Sequence, residues 1–171
     1  MSDPLTRSLP LDVDYAQAYL HDGHAGAETW PDDPDHSAGI IRTPPDPGYA
    51  FLVTGTRTGE VGFTVAVGAE DPGPDLDGYE DAVEISVHMP EGTPVIEEWG
   101  GDVHELPPLT DGPGWYRLRY HARGFDAGRD DDHCDGGPPD SYLLQIWPAP
   151  PAPPQTLRVV SEGVRYWVNE I

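Results

Sequence analysis

The residues through which this chain could do chemistry are carboxylates, and two short segments concentrate them. Glu70, Asp71, Asp75, Asp77, Glu80 and Asp81 fall in one segment, and Asp126, Asp130, Asp131, Asp132 and Asp135 in the other, together 11 of the 31 acidic residues. A cation is the first ligand to weigh. Asp75, Asp77, Gly78 and Glu84 occupy positions 3, 5, 6 and 12 of a twelve-residue calcium loop beginning at Gly73. The first position is Gly where the coordination wants Asp, and Glu84 lies in an alternating apolar pattern that predicts a strand. A solvated acidic loop is the better reading. The second segment adds His133, yet groups on a Gly-flanked loop stay hydrated, because ordering them costs about 1–2 kcal/mol per residue. His21 and His24, with His36 downstream, read as surface histidines. Gly23 and Gly26 argue against the helical turn that would aim both imidazoles at one metal. No metal or cofactor is expected.

Catalysis finds no support either. The sequence has no nucleophile elbow, no phosphate-cradling Gly loop and no Lys for Schiff-base chemistry. The single Cys134 is flanked by Asp132, His133 and Asp135, and acidic neighbours disfavour the thiolate a nucleophile needs. Carboxylate pairs are so numerous that a hydrolase argument built on them would fit by chance. We expect a protein that is not an enzyme.

Charge says more. Thirty-one acids stand against nine Arg and no Lys, a formal net charge of −22 and a pI near 4.2. A field of that sign repels nucleic acid and anionic membranes and attracts basic partners, at a rate that falls as salt rises. Solubility alone also accounts for acidity. Concentration of the charge in two loops favours a binding surface, with Asp71, Asp75, Asp77, Glu80, Asp81, Asp126, Asp130, Asp131, Asp132 and Asp135 as contact residues. Trp30 or Trp99 would be aromatic anchors. The first ten residues carry one Arg and no apolar signal-peptide core, and no window approaches the 18 apolar residues of a membrane span. The expected compartment is the cytoplasm, and a lone Cys rules out an internal disulfide.

The elements that must position these residues are strands. Gly and Pro, 20 and 21 of them, are costly in helix interiors and natural in an all-β fold rich in turns. Period-2 alternation predicts a first strand from Leu11 through Tyr15 and loosely on to Leu20, then strands at Tyr49 to Thr54 and Val61 to Val67 joined by a hairpin at Gly55 to Gly59. Further strands are predicted at Val83 to Val87, Pro94 to Glu98, Asp102 to Leu106, Trp115 to Ala122, Tyr142 to Trp147 and Leu157 to Val160. On Trp115 to Ala122 the Tyr116, Leu118, Tyr120 face reads as core and the Arg117, Arg119, His121 face as solvated. Residues 21–48 read as loop around a short apolar Gly39-Ile40-Ile41, and Val164 to Asn169 is ambiguous. About eight to ten short, mostly antiparallel strands with long acidic loops make a β-sandwich the favoured architecture. One domain spans 1–171, with 1–9 a flexible N-terminus and 148–155 a Pro-rich linker to the last strand.

The segment Leu11-Asp12-Val13-Asp14-Tyr15-Ala16-Gln17-Ala18-Tyr19-Leu20-His21-Asp22, followed by Trp30 and paired strands, resembles the opening of the ComJ-like family. Leu106-Pro107 and Gly114-Trp115-Tyr116-Arg117-Leu118-Arg119 resemble that family's late strand, so the likeness spans residues 9–148. The family includes an inhibitor of a DNA-uptake nuclease. The resemblance implies a small β-rich nuclease inhibitor and a basic protein partner, a nuclease or toxin, whose active-site cleft the carboxylates would fill in place of phosphates. Other readings are an immunity protein against a non-nuclease toxin, a calcium-dependent β-module, and a metal-assisted hydrolase.

Overall fold

The computed structural model describes residues 3–23, 34–44, 47–130 and 137–169. Among them the chain forms β1 (Leu5–Val13), β2 (Gln17–His21), β3 (Ser37–Ala38), β4 (Ile41–Arg42), β5 (Tyr49–Val53) and β6 (Gly59–Val67). There follow β7 (Asp81–Met89), β8 (Val95–Glu98), β9 (Val103–Glu105), β10 (Gly114–Arg123), helix α1 (Phe125–Asp130), β11 (Ser141–Pro148), β12 (Gln155–Arg158) and helix α2 (Glu162–Asn169). Two six-stranded sheets result. The first runs β1-β6-β11-β10-β7-β12 and the second β3-β4-β5-β2-β8-β9. All pairings are antiparallel except β11 with β6.

The two sheets share one core. Val61, Phe63, Val65 and Val67 alternate inward from β6, and Tyr116, Leu118, Tyr120 and Ala122 from β10. They join Leu20, Ala50, Leu52 and Ile96 of the second sheet in a single apolar cluster. Each such Leu, Ile or Phe gains about 1.5–3 kcal/mol on leaving water. The rings of Tyr120 and Tyr142 stack in it at 5.4 Å. This is the sandwich-like all-β arrangement the alternation predicts, with two short helices added.

Alternation along one strand does not say which sheet the strand joins, and there the expectation fails twice. The expected continuous strand from Leu11 to Leu20 is two strands in different sheets, divided by a turn at Tyr15 and Ala16, whose φ angles are +54° and +57°. Both central residues at positive φ is the pattern of a tight hairpin turn, in which Gly or Asn is the usual occupant. The first strand also begins earlier than expected: Leu5 to Leu9 pair with β6 from Val67 to Phe63. Gly55 to Gly59 is likewise not a hairpin loop but a crossing, taking the chain from β5 in the second sheet to β6 in the first.

A buried carboxylate pins that crossing. Asp140 accepts from the Thr56 hydroxyl (2.5 Å), the Thr56 N–H (3.0 Å) and the Tyr142 hydroxyl (2.5 Å), and the Tyr142 oxygen accepts the Gly55 N–H at 2.6 Å. Gly55 is required: a Cβ there would lie 2.1 Å from the Phe125 carbonyl oxygen. The short apolar stretch at Gly39 to Ile41 is used as a two-residue hairpin, β3 and β4, on the edge of the second sheet. The ambiguous final segment is α2, packed by Val164 into the core.

Candidate functional site

β10 positions the first acidic segment. Its outward face carries Arg117, Arg119 and His121, which alternation predicts as solvated, yet they are 5%, 4% and 0% exposed. Two covers exclude the water. The chain leaves β6 at the far end of the first sheet, crosses this face through residues 70–80, and re-enters at β7. The Pro-rich residues 149–154 cover the neighbouring part, held where Arg117 donates to the carbonyls of Ala152 (2.9 Å) and Pro153 (2.8 Å). This linker is a strap tied to the sheet.

Under the covers lies an ion-pair network. Glu84 accepts from Arg117 Nε at 3.0 Å and Arg119 Nε at 2.8 Å. Arg119 also grips Asp71 with two N–H groups at 2.8 and 3.1 Å, donates to Gln145 at 2.9 Å and lies over the Trp147 ring at 4.5 Å. Burial works against the Arg119 charge, but hydrogen bonds to Asp71 and the charge of Glu84 outweigh it and raise its pKa. The same hydrogen bonds hold the Asp71 carboxyl below its ordinary value. Glu84, the twelfth position of the calcium-loop pattern, thus has both oxygens engaged by arginine, and it is buried within β7.

His121 fastens the same segment. Its Nε2 accepts the Asp75 N–H at 3.0 Å, and its Nδ1 lies 3.2 Å from the Leu143 carbonyl oxygen. An acceptor nitrogen carries no proton, so the geometry assigns the neutral tautomer with hydrogen on Nδ1. Burial, chiefly, pulls the His121 pKa down, in agreement.

Placement of the expected contact residues is uneven. Asp75, Asp77 and Glu80 are exposed on the crossing segment; Asp75 turns back to accept the Gly78 N–H at 2.8 Å. Asp71 keeps half its side chain, 50%, in solvent beside Arg119. Asp81 is different. Only 1% exposed, it accepts from the N–H groups of Val160 and Ser161 and from the Ser161 hydroxyl at 2.7–3.0 Å, so it anchors the start of α2 and cannot reach a partner. Asp126 is half-buried and caps α2, accepting the N–H groups of Glu162 and Gly163 at 2.9 and 2.8 Å. Asp130 is exposed at the end of α1. Asp131, Asp132 and Asp135 lie outside the described residues, as do Trp30, His24 and Cys134.

The roots of the two acidic segments touch. Glu80 donates its N–H to the Ala122 carbonyl at 3.0 Å and accepts the Gly124 N–H on its carboxylate at 2.9 Å. Arg158 donates to the carbonyls of Leu76, Tyr79 and Glu80, and Arg123 lies over the Tyr79 ring at 5.3 Å. The first segment therefore re-enters the first sheet at the end from which the second departs. The buried arginine face was missed because alternation reports side, not cover. The available signal was stoichiometric: in so acidic a chain, two of nine arginines on one strand face demand carboxylates above them.

No protein-family profile matches the sequence, and no curated protein matches it. Solved structures do share the fold. The crystal structure of ComJ from Bacillus subtilis, an inhibitor of the DNA degrading activity of NucA, is similar over 86% of this chain and 100% of its own, with a TM-score of 0.61 and 13% identity. The product of crocagin biosynthetic gene J is similar over 86% of this chain and 99% of its own, with a TM-score of 0.52 and 13% identity. At that identity the likeness is one of fold.

Proposed function

We propose that this chain is a cytoplasmic inhibitor that sets the carboxylates of its two acidic segments into the basic cleft of a nuclease, where they take the place of nucleic-acid phosphates. The observation that carries this reading is a fold shared with a nuclease inhibitor along that inhibitor's whole length, in a chain of net charge −22. The contact between Glu80 and Gly124 supports a single acidic face. Duplex DNA presents a charge about every 1.7 Å, so a cleft built for it selects a dense row of anions. Asp75, Asp77, Glu80 and Asp130 carry the contact, with the exposed half of Asp71 at its margin and Asp131, Asp132 and Asp135 extending it. Inhibition comes from occupancy, not from catalysis.

The test is a DNA-degradation assay against a panel of basic nucleases, any encoded beside this chain included, comparing the native protein with an Asp75→Asn, Asp77→Asn, Glu80→Gln variant. The inhibition constant should rise about tenfold or more, since each exposed contact to a charged partner contributes up to about 1 kcal/mol. Inhibition should also weaken with salt. Full inhibition by the triple variant, or binding unchanged at about half-molar salt, where screening acts over about 4 Å, would count against phosphate mimicry.

A further inference from the structure

A tyrosine and a tryptophan meet in solvent at the tips of two turns. Tyr15 stands in the β1–β2 turn, and Trp99 in the short loop of the β8–β9 hairpin, which Glu98 closes by donating its N–H to the Asp102 carbonyl at 2.8 Å. Their ring centroids lie 4.7 Å apart with the planes tilted by 49°, yet the two residues remain 55% and 49% exposed. The hairpin tip stands clear, since a Cβ at Gly100 or Gly101 would meet nothing within 4 Å. Tyr15 also holds a φ of +54°, which glycine or asparagine adopts freely and a bulky side chain only at a cost. A half-exposed ring recovers little of that cost by burial, and local strain kept in solvent points to a contact made elsewhere.

The surroundings are acidic. Asp14 accepts the Tyr15 N–H at 3.0 Å, Asp102 is exposed at the base of the hairpin, and Glu97 pairs across from Tyr19, whose ring lies 6.3 Å from that of Trp99. Against these three carboxylates stands one arginine, Arg57, whose carbonyl accepts the Ala16 N–H at 2.9 Å. Four other arginines lie over aromatic rings at 4.5–5.7 Å, none of them over Tyr15 or Trp99. Strand register fixes where the pair stands. Val13 pairs with Gly59 at the end of the first sheet where β7 begins, β10 ends and β11 begins. From β1 to β7 is four strand spacings, about 19 Å. The aromatic pair and the joined roots of the acidic segments, at Glu80 and Gly124, therefore share one end of the molecule. A standard interface, about 800 Å² per partner and so about 28 Å across, covers both.

We infer that Tyr15 and Trp99 form an aromatic anchor that seats an arginine or lysine side chain of the basic partner, a second point of attachment beside the acidic segments. A cation over an indole or phenol face is drawn by the ring's negative face, and tryptophan binds it best. Tryptophan and tyrosine are also the residues through which interfaces most often hold their partners. For the identity of the partner the inference rests on the inhibitory reading, while the anchor itself can be probed without it.

The probe is N-acetyl tetra-arginine amide, about 14 Å long at full stretch and so too short to bridge to the acidic segments, beside tetra-citrulline, its uncharged counterpart. Nitrogen–proton NMR of the tryptophan indole groups of the full chain follows each peptide at physiological salt. The Trp99 signal, identified by its loss in Trp99→Leu, should move with an apparent Kd below about 1 mM, while Trp115, which is 43% exposed and packs on His88, moves little. Citrulline should bind about tenfold more weakly or not at all. Tyr15→Asn, which suits the turn, should weaken the arginine peptide about fivefold without lowering the melting temperature. A Trp99 signal unmoved by tetra-arginine, moved as far by citrulline, or moved no more than that of Trp115 would overturn the anchor. Against a nuclease that the native chain inhibits, Trp99→Leu should raise the inhibition constant about tenfold or more, and full inhibition by that variant would overturn the anchor's role in binding the partner. Inhibition of no nuclease in the panel, with Trp99 still answering tetra-arginine, would overturn the inhibitory reading and not the anchor.

Discussion

His121 uses its two ring nitrogens in opposite senses, and that makes its contacts sensitive to pH. With its folded pKa depressed by burial, the unfolded chain binds the proton more readily. Its contribution to stability is therefore complete above the unfolded value of about 6.5 and is lost as pH falls below that toward the folded pKa. Protonation also puts a hydrogen where the Asp75 N–H must point. Melting temperature measured from pH 8 downward should begin to drop near 6.5 in the native chain, and His121→Phe should flatten that step. Ala16 carries a different strain. At φ +57° an L side chain crowds its own carbonyl by about 1 kcal/mol, a cost glycine escapes. Ala16→Gly should leave stability unchanged or raise it by up to about 1 kcal/mol in urea unfolding, although glycine in a relaxed turn would lower it.

At the scale of elements, β10 and its covers behave as one unit. Arg119→Ala leaves Glu84 with one partner and removes the clasp on Asp71. Loss of one partner from a buried ion pair costs about 3–5 kcal/mol, and urea unfolding of that variant should show a loss of this size. Hydrogen exchange at Gly73 and Asp75 should quicken in the same protein, because the segment above is tied there. Asp140→Ala, which strips the acceptor from Thr56 and Tyr142, should cost about 3 kcal/mol or more by the same measurement. The strands themselves were legible: Val61 to Val67, Val83 to Val87 and Tyr116 to Ala122 alternate as they pack. What alternation could not report was which sheet each strand joins, or what lies on its second face. Tyr15 and Ala16 give no turn chemistry to read, so the break between β1 and β2 was invisible. Asp81 looked like its exposed neighbours because the partners that bury it, Val160 and Ser161, are 79 and 80 residues away.

For the whole molecule, charge and topology set the behaviour. A net charge of −22 repels itself in the compact state, and screening relieves that repulsion. Melting temperature should therefore rise between about 10 mM and 0.5 M sodium chloride, while partner binding falls, so the two readouts move in opposite directions. Topology has a consequence in time. β11 sits between β6 and β10, and its parallel pairing matches Ser141 with Gly62 and Ile146 with Val67, about 80 residues apart in the chain. During synthesis β1 and β6 emerge early and can pair with each other, yet the inner edge of β6 has nothing to meet until β11 leaves the ribosome. Long loops must close before those contacts form, which places refolding in the millisecond-to-second range or slower. A nascent chain stalled before Ser141 would expose an apolar strand edge, and its own surplus of negative charge is what would keep such chains apart.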